Sequence, residues 1–354
     1  MFSVFTTAEV IDRFVESFGT SACPWLDILE LQSDIYYSGE RRNWEEDPES
    51  PWFLVSKSGY DFIDCSEYIN SIPEHPEKVL EHPDSAFILD VDNNTAKDIE
   101  ESYGVICQPV SSMETLCKLT KNDSRWVLRK VVDTEGEGPL NRTCWKDLLG
   151  DSLHRYPSNS MILIDRNFFT QKNNATNEYF GVEGLKDLLE SVLPKKLKCE
   201  YQILIVYQDG LHLGKYTNEL DFIKAEELNI NCLLQELRGY PIRVELLSIA
   251  SSDRCFDYNH KQLFFRSHNR RVITNYYYLG ADYTLAPFYP GKGPRAEQSI
   301  WHEYLFSRYP EREVCDLALV EKESAVSLVK DLLEEDDRYR CCVEPINNRL
   351  SQTS

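Results

Sequence analysis

Short apolar runs bounded by turn formers alternate along this chain with segments whose apolar positions repeat at helical spacing. In the first half, residues 86–92 are apolar until they end in Asp90 and Asp92. The run NNTAKDIEESYG follows, and the pattern predicts a strand, then a capped helix stopped by glycine. Residues 53–55, 105–110 (VICQPV) and 125–132 (RWVLRKVV) read as further strands, and residues 7–18 as an amphipathic helix. The second half is more regular. A buried strand is predicted at 160–169, a helix at 181–194, a strand at 201–208, a helix ending at Gly239 and Pro241, and a strand at 242–250. Residues 261–281 then read as an antiparallel pair and 296–309 as a helix.

Strand, helix, strand, helix, strand marks a mixed sheet covered by helices, so the fold class expected is α/β, with a second, smaller α/β domain at the N-terminus. The turn formers DTEGEGPLNR and RYPSNS surround a short amphipathic piece at 145–153 and place the expected boundary there. The division is then an acidic α/β domain over 1–150, a second domain over 155–315, and a C-terminal helix and tail over 316–354. Residues 345–354 read as a frayed end. A length of 354 residues suits two domains, and a hydrophobic content of 42% is enough to build their cores.

Charge changes the picture next. The formal net charge of −21, from 59 acidic against 38 basic side chains, repels nucleic acid and anionic lipid at long range. Any phosphate-binding surface must be local. The 11 cysteines are scattered without a CxxC pair, which argues against a zinc site or a disulfide framework and fits thiols in a reducing, cytoplasmic compartment. No stretch approaches the roughly 18–20 apolar residues of a membrane span, and the first residues lack a signal-peptide pattern. There is no P-loop, G-x-G-x-x-G, G-x-S-x-G or H-E-x-x-H, and no cofactor is expected.

The informative run is SHNRRVITNYYYLG, residues 267–280, in which His268, Arg270 and Asn275 stand at the spacing H-x-R-x-x-x-x-N. On an extended strand His268 and Arg270 share one face, where imidazole and guanidinium meet the same phosphate. The run resembles the phospholipase D signature H-x-K-x-x-x-x-D in degraded form, with Arg270 for lysine and Asn275 for aspartate. Neutral Asn275 does not stabilise an imidazolium as a carboxylate would. None of the other six histidines begins a second H-x-[KR] copy.

The altered signature is most similar to the phospholipase D-like domain at the C-terminus of MIT-domain proteins, in which an aspartate-bearing strand opens the domain, as LIDRNFF with Asp165 does here. The resemblance covers residues 160–288 and departs from the family at Asn269 and at LGADY. It implies binding of a phosphorylated ligand or protein partner without hydrolysis, and a homodimer or a place in a larger complex. Similar modules occur in prokaryotic conflict systems, which suggests a defence component. The expected ligand-binding residues are Asp165, Arg266, His268, Arg270, Arg271 and Asn275, with Lys292 and Arg295 as possible additions to the basic cluster. His268 becomes the nucleophile if two chains share a phosphodiesterase or nuclease site, and a pure interaction scaffold is the third expectation. Tyr276, Tyr277 and Tyr278 read as strand alternation, with stacking on a base as the rarer role. Asp90 and Asp92 suggest a magnesium D-x-D less well than a helix cap, since the threonine falls at 95.

Overall fold

The computed structural model describes residues 3–18, 34–40, 45–112, 126–130, 144–149, 157–208, 215–249, 270–281, 284–289, 293–294, 299–304, 317–334 and 340–352. The chain divides into two compact units. Unit 1 comprises residues 1–123, 306–315 and 353–354, and unit 2 comprises residues 124–305 and 316–352.

Unit 1 is built on five parallel strands, β1 (Val4–Thr7), β2 (Asp34–Ser38), β3 (Asp61–Asp64), β4 (Ala86–Leu89) and β5 (Ile106–Pro109), in the order β3-β2-β1-β4-β5. Its helices are α1 (Ala8–Ser17), α2 (Pro51–Ser56), α3 (Ser66–Ser71) and α4 (Asn93–Tyr103), with a 3-10 turn at Pro76–Glu81. Val10, Ile11 and Phe14 recur at helical spacing in α1 and are fully buried. α2 joins α1 through Trp52, whose Nε1 donates to Asp12 Oδ1 at 2.9 Å. Phe5 and Phe87 pack instead with Ile69, Val79 and Ile99 of α3, the 3-10 turn and α4. Right-handed crossovers running outward in both directions from β1 require this split of helices between two faces. The strand order therefore reverses between β1 and β4.

Unit 2 carries an eight-stranded mixed sheet in the order β15-β9-β8-β7-β10-β11-β14-β6. Its elements are β6 (Trp126–Lys130), α5 (Trp145–Leu149), β7 (Ser160–Ile164), α6 (Phe180–Val192), β8 (Tyr201–Gln208), α7 (Glu219–Leu234), β9 (Ile242–Ile249), β10 (Arg270–Thr274), β11 (Tyr277–Ala281), a two-residue pair β12 (Phe288–Tyr289) and β13 (Gly293–Pro294), β14 (Ser299–Tyr304), α8 (Leu317–Glu334), β15 (Arg340–Cys342) and α9 (Arg349–Gln352). β7, β8 and β9 are mutually parallel, and the remaining neighbours in this sheet pair antiparallel. One face packs Ile162, Ile164, Leu204, Val206, Leu247 and Ile273 against Ala325, Val329 and Leu332 of α8 and Leu350 of α9. Burial on both faces explains why β8 is apolar without alternation from Ile203 to Tyr207.

Four expectations are corrected. The units divide near residue 123 rather than near 150: β6 is the edge strand beside β14, and α5 packs on α6, so both elements belong to unit 2. Residues 53–55 lie in α2, because Pro51 at the first turn favours a helix start and the buried Trp52 and Val55 are three apart. Residues 299–304 form β14 rather than a helix, since pairing with β11 and β6 outweighs local periodicity. The supposed frayed end is built in, with Asn348 and Leu350 fully buried.

Candidate functional site

In unit 2 the chain runs from β7 outward through β8 to β9, then returns to the opposite side of β7 as β10. This return brings the end of β7 and the start of β10 side by side. Asp165 is the first residue past β7, and Arg270 opens β10, which pairs antiparallel with β7. Arg270 Nε lies 2.9 Å from Asp165 Oδ1, with each side chain 5% exposed. Asp165 Oδ1 also accepts from Asn167 N at 2.9 Å. Burial pushes the Asp165 carboxyl up from its ordinary value, while Arg270 and the Asn167 amide pull it back. On the adjoining strand end, Arg166 Nε donates to Gln208 Oε1.

The other predicted residues do not all converge here. Arg271 is the register partner of Ile164 and lies two positions from Ile273, so it belongs to the α8 face while Arg270 belongs to the opposite one. Asn275 stands past the far end of β10, a separation of about 16 Å for five extended residues. There it is fully buried, and its Oδ1 accepts from Asn159 N at 2.9 Å and Ser160 N at 3.1 Å. Its Nδ2 donates to Asn159 Oδ1 at 3.1 Å, and its carbonyl accepts from Lys322 Nζ at 2.7 Å. Asn275 is thus a polar clamp between β10, β7 and α8, not a neighbour of Arg270. Arg266, His268, Asn269, Lys292 and Arg295 lie outside the described residues.

Tyr276, Tyr277 and Tyr278 are all buried, which replaces the expected alternation with a strand covered on both faces and leaves no ring open for stacking. Asp92 is the N-cap of α4: Oδ1 accepts from Asn94 N at 2.7 Å and Thr95 N at 3.0 Å, and Oδ2 accepts from the Thr95 hydroxyl at 2.7 Å. The Thr95 hydroxyl bond, with the two amide bonds, holds the Asp92 carboxyl below its ordinary value. Among the described residues no group of three or more His, Cys, Asp or Glu side chains is placed to hold a metal ion.

Sequence reasoning missed Lys322, Asn159, Asn348 and Arg349, which surround the Asn275 clamp. Asn348 Oδ1 accepts from the Ser160 hydroxyl at 3.1 Å, and Arg349 NH1 donates to the Asn159 carbonyl at 3.2 Å. A lysine in an amphipathic helix and an asparagine in a polar tail carry no local sign of burial, so no pattern in the sequence marks them.

The fold and this edge define a two-unit α/β protein in which each sheet reverses its strand order beside one inner strand. Comparison of the chain with family models, with curated proteins and with solved structures found no match.

Proposed function

We propose that unit 2 is a non-catalytic binding module of phospholipase D-like type, recognising a phosphorylated ligand or a protein partner at the β7–β10 edge and serving as a regulatory component, in keeping with a prokaryotic defence system. The observation that carries the reading is the commitment of Arg270 to Asp165 in near-complete burial. Phosphoryl transfer needs a cation turned toward the phosphoryl oxygens and an acid beside the imidazole. Here the cation in the signature's lysine position is neutralised by a carboxylate, and the residue in its acid position is an amide at the other end of the strand. Binding survives such changes more readily than turnover, because it needs donors at the edge and no developing charge to be stabilised.

The test compares the wild-type chain, His268→Ala and the double variant Asp165→Asn/Arg270→Gln, the last removing both charges of the pair with little change in volume. Each is assayed without added metal on a generic phosphodiester, DNA and RNA, and titrated with pyrophosphate. Pyrophosphate binding that is weakened in the double variant, with no turnover by any form, supports the reading. Turnover abolished by His268→Ala replaces it with an enzyme sharing its site across a homodimer. Neither turnover nor binding leaves an interaction scaffold.

A further inference from the structure

The outward face of α7 in unit 2 carries side chains that a solvent-facing helix seldom shows together. Phe222, Ile223, Glu226, Ile230 and Leu234 are buried and pack the helix beside β9. On the opposite side Lys224, Leu228, Cys232 and Glu236 recur at every fourth position, and all four are exposed. Leu228 is 68% exposed, and Leu220, one turn before Lys224, is 37% exposed. Among the described residues the other exposed large apolar side chains are Leu54 and Ile63, both in unit 1. Of the described cysteines, Cys232 alone is exposed. Apolar side chains scattered singly over a surface need no explanation, but a leucine and an unburied thiol on one ridge point to a contact.

The order of these side chains is self-complementary. In one direction the ridge runs cation, leucine, thiol, anion, and in the other it runs anion, thiol, leucine, cation. Two copies of α7 that cross antiparallel about a two-fold axis level with Ile230 set Lys224 beside Glu236 of the second copy at both ends. Between those ends Leu228 meets Cys232 of the second copy, twice. Rows spaced by four are the ridges that interdigitate in the commonest class of helix packing. Other arrangements lose the match. A parallel pair sets Lys224 beside Lys224 and Glu236 beside Glu236, and an antiparallel pair centred on Leu228 sets Lys224 beside Cys232 with no charge paired. In the matched register the like charges of the two copies stand about 18 Å apart along the helix, roughly two Debye lengths at physiological salt. Because each chain carries a net charge of −21, these local pairs act on register and orientation more than on affinity.

We infer that the exposed ridge of α7 is a contact surface for a second copy of this chain, paired antiparallel so that Leu228 packs on Cys232 and Lys224 faces Glu236. One helix from each chain falls well short of the roughly 800 Å² per partner of a standard interface, so the dimer is weak and forms as concentration rises. The inference goes beyond the ligand reading of the β7–β10 edge and does not depend on it.

Sedimentation equilibrium of the full chain, at concentrations up to about 100 μM, measures the association. The wild-type chain is expected to pass from monomer to dimer over that range. Leu228→Glu, which places a carboxylate at the centre of the contact on both copies, should weaken the dimer by at least about tenfold. Lys224→Glu and Glu236→Lys each set like charges together at both ends and should weaken it by about three- to tenfold. Lys224→Glu/Glu236→Lys exchanges the two charges within each chain and should restore the wild-type constant to within about twofold. All these side chains are exposed, so every variant should keep the wild-type melting temperature of the monomer, and a lost dimer is then not a lost fold. The inference is overturned if the wild-type chain stays monomeric throughout, if Leu228→Glu associates as the wild type does, or if the charge exchange binds no more tightly than the single reversals.

Discussion

Arg270 Nε stands 2.9 Å from Asp165 Oδ1 across the β7–β10 edge, with both side chains almost wholly withdrawn from water. A buried pair of this kind contributes little net stability compared with apolar side chains of similar volume, but removing one partner strands the other's charge. Arg270→Ala is therefore expected to destabilise unit 2 by about 3–5 kcal/mol. The double change Asp165→Asn/Arg270→Gln should cost less than Arg270→Ala alone. Urea unfolding of the variants measures the coupling, and equal losses would show that the pair is not energetically linked.

Restoring the signature's acid should not restore catalysis. Asn275→Asp places a carboxylate at the far end of β10 and turns the Nδ2 donor to Asn159 Oδ1 into an acceptor facing an acceptor. The expected outcome is no gain of phosphodiesterase activity and a loss of about 1–3 kcal/mol in stability. Activity appearing in this variant would contradict the structural role given to Asn275.

Glu100 gives unit 1 a pH dependence. Burial pushes its carboxyl up to about 7, although it accepts from Cys107 N at 3.1 Å and Gln108 Nε2 at 3.2 Å. Because the folded value lies above the ordinary one, the contribution to stability is full below about 4.5 and is lost as pH rises through about 7. The loss is on the order of 3 kcal/mol. Burial lowers the His82 imidazole and acts with the opposite sign, removing stability as pH falls below 6.5. Glu100→Gln should raise stability at pH 8 and leave it nearly unchanged at pH 4.5, as read from urea midpoints. An unchanged midpoint at pH 8 would show that Glu100 is solvated.

Gly184 lets α6 approach the segment around Leu285. A Cβ there would stand 2.6 Å from the Leu285 carbonyl oxygen and 2.7 Å from Ala286 Cα, both backbone atoms. Gly184→Ala should cost about 1–3 kcal/mol despite alanine's better helix propensity. Gly239→Ala, with nothing within 4 Å of the added carbon, is the control and should be nearly neutral by thermal melting.

The α/β class, the β4–α4 unit with its Asp92 cap and Gly104 stop, and the run of strands and helices from β7 to β9 were all legible in local pattern. Those elements carry their own periodicity and end signals. β14 was not legible, because its pairing with β11 and β6 comes from strands far away in sequence. The division of the chain was misread for a related reason: turn-forming residues mark a bend in the backbone, and only the sheet shows that β6 belongs with β14.

The sequence by itself set the alternation of strands and helices, the acidity, and the presence of Asp165, Arg270 and Asn275, because these follow from residue type and short-range spacing. Only the tertiary structure decided that Arg270 meets Asp165 while Asn275 clamps Asn159 and Lys322 at the other end of the same strand. A strand rises about 3.3 Å per residue, so a motif that is continuous in sequence is spread along the length of the sheet. Which of its members meet is settled by the strands beside it.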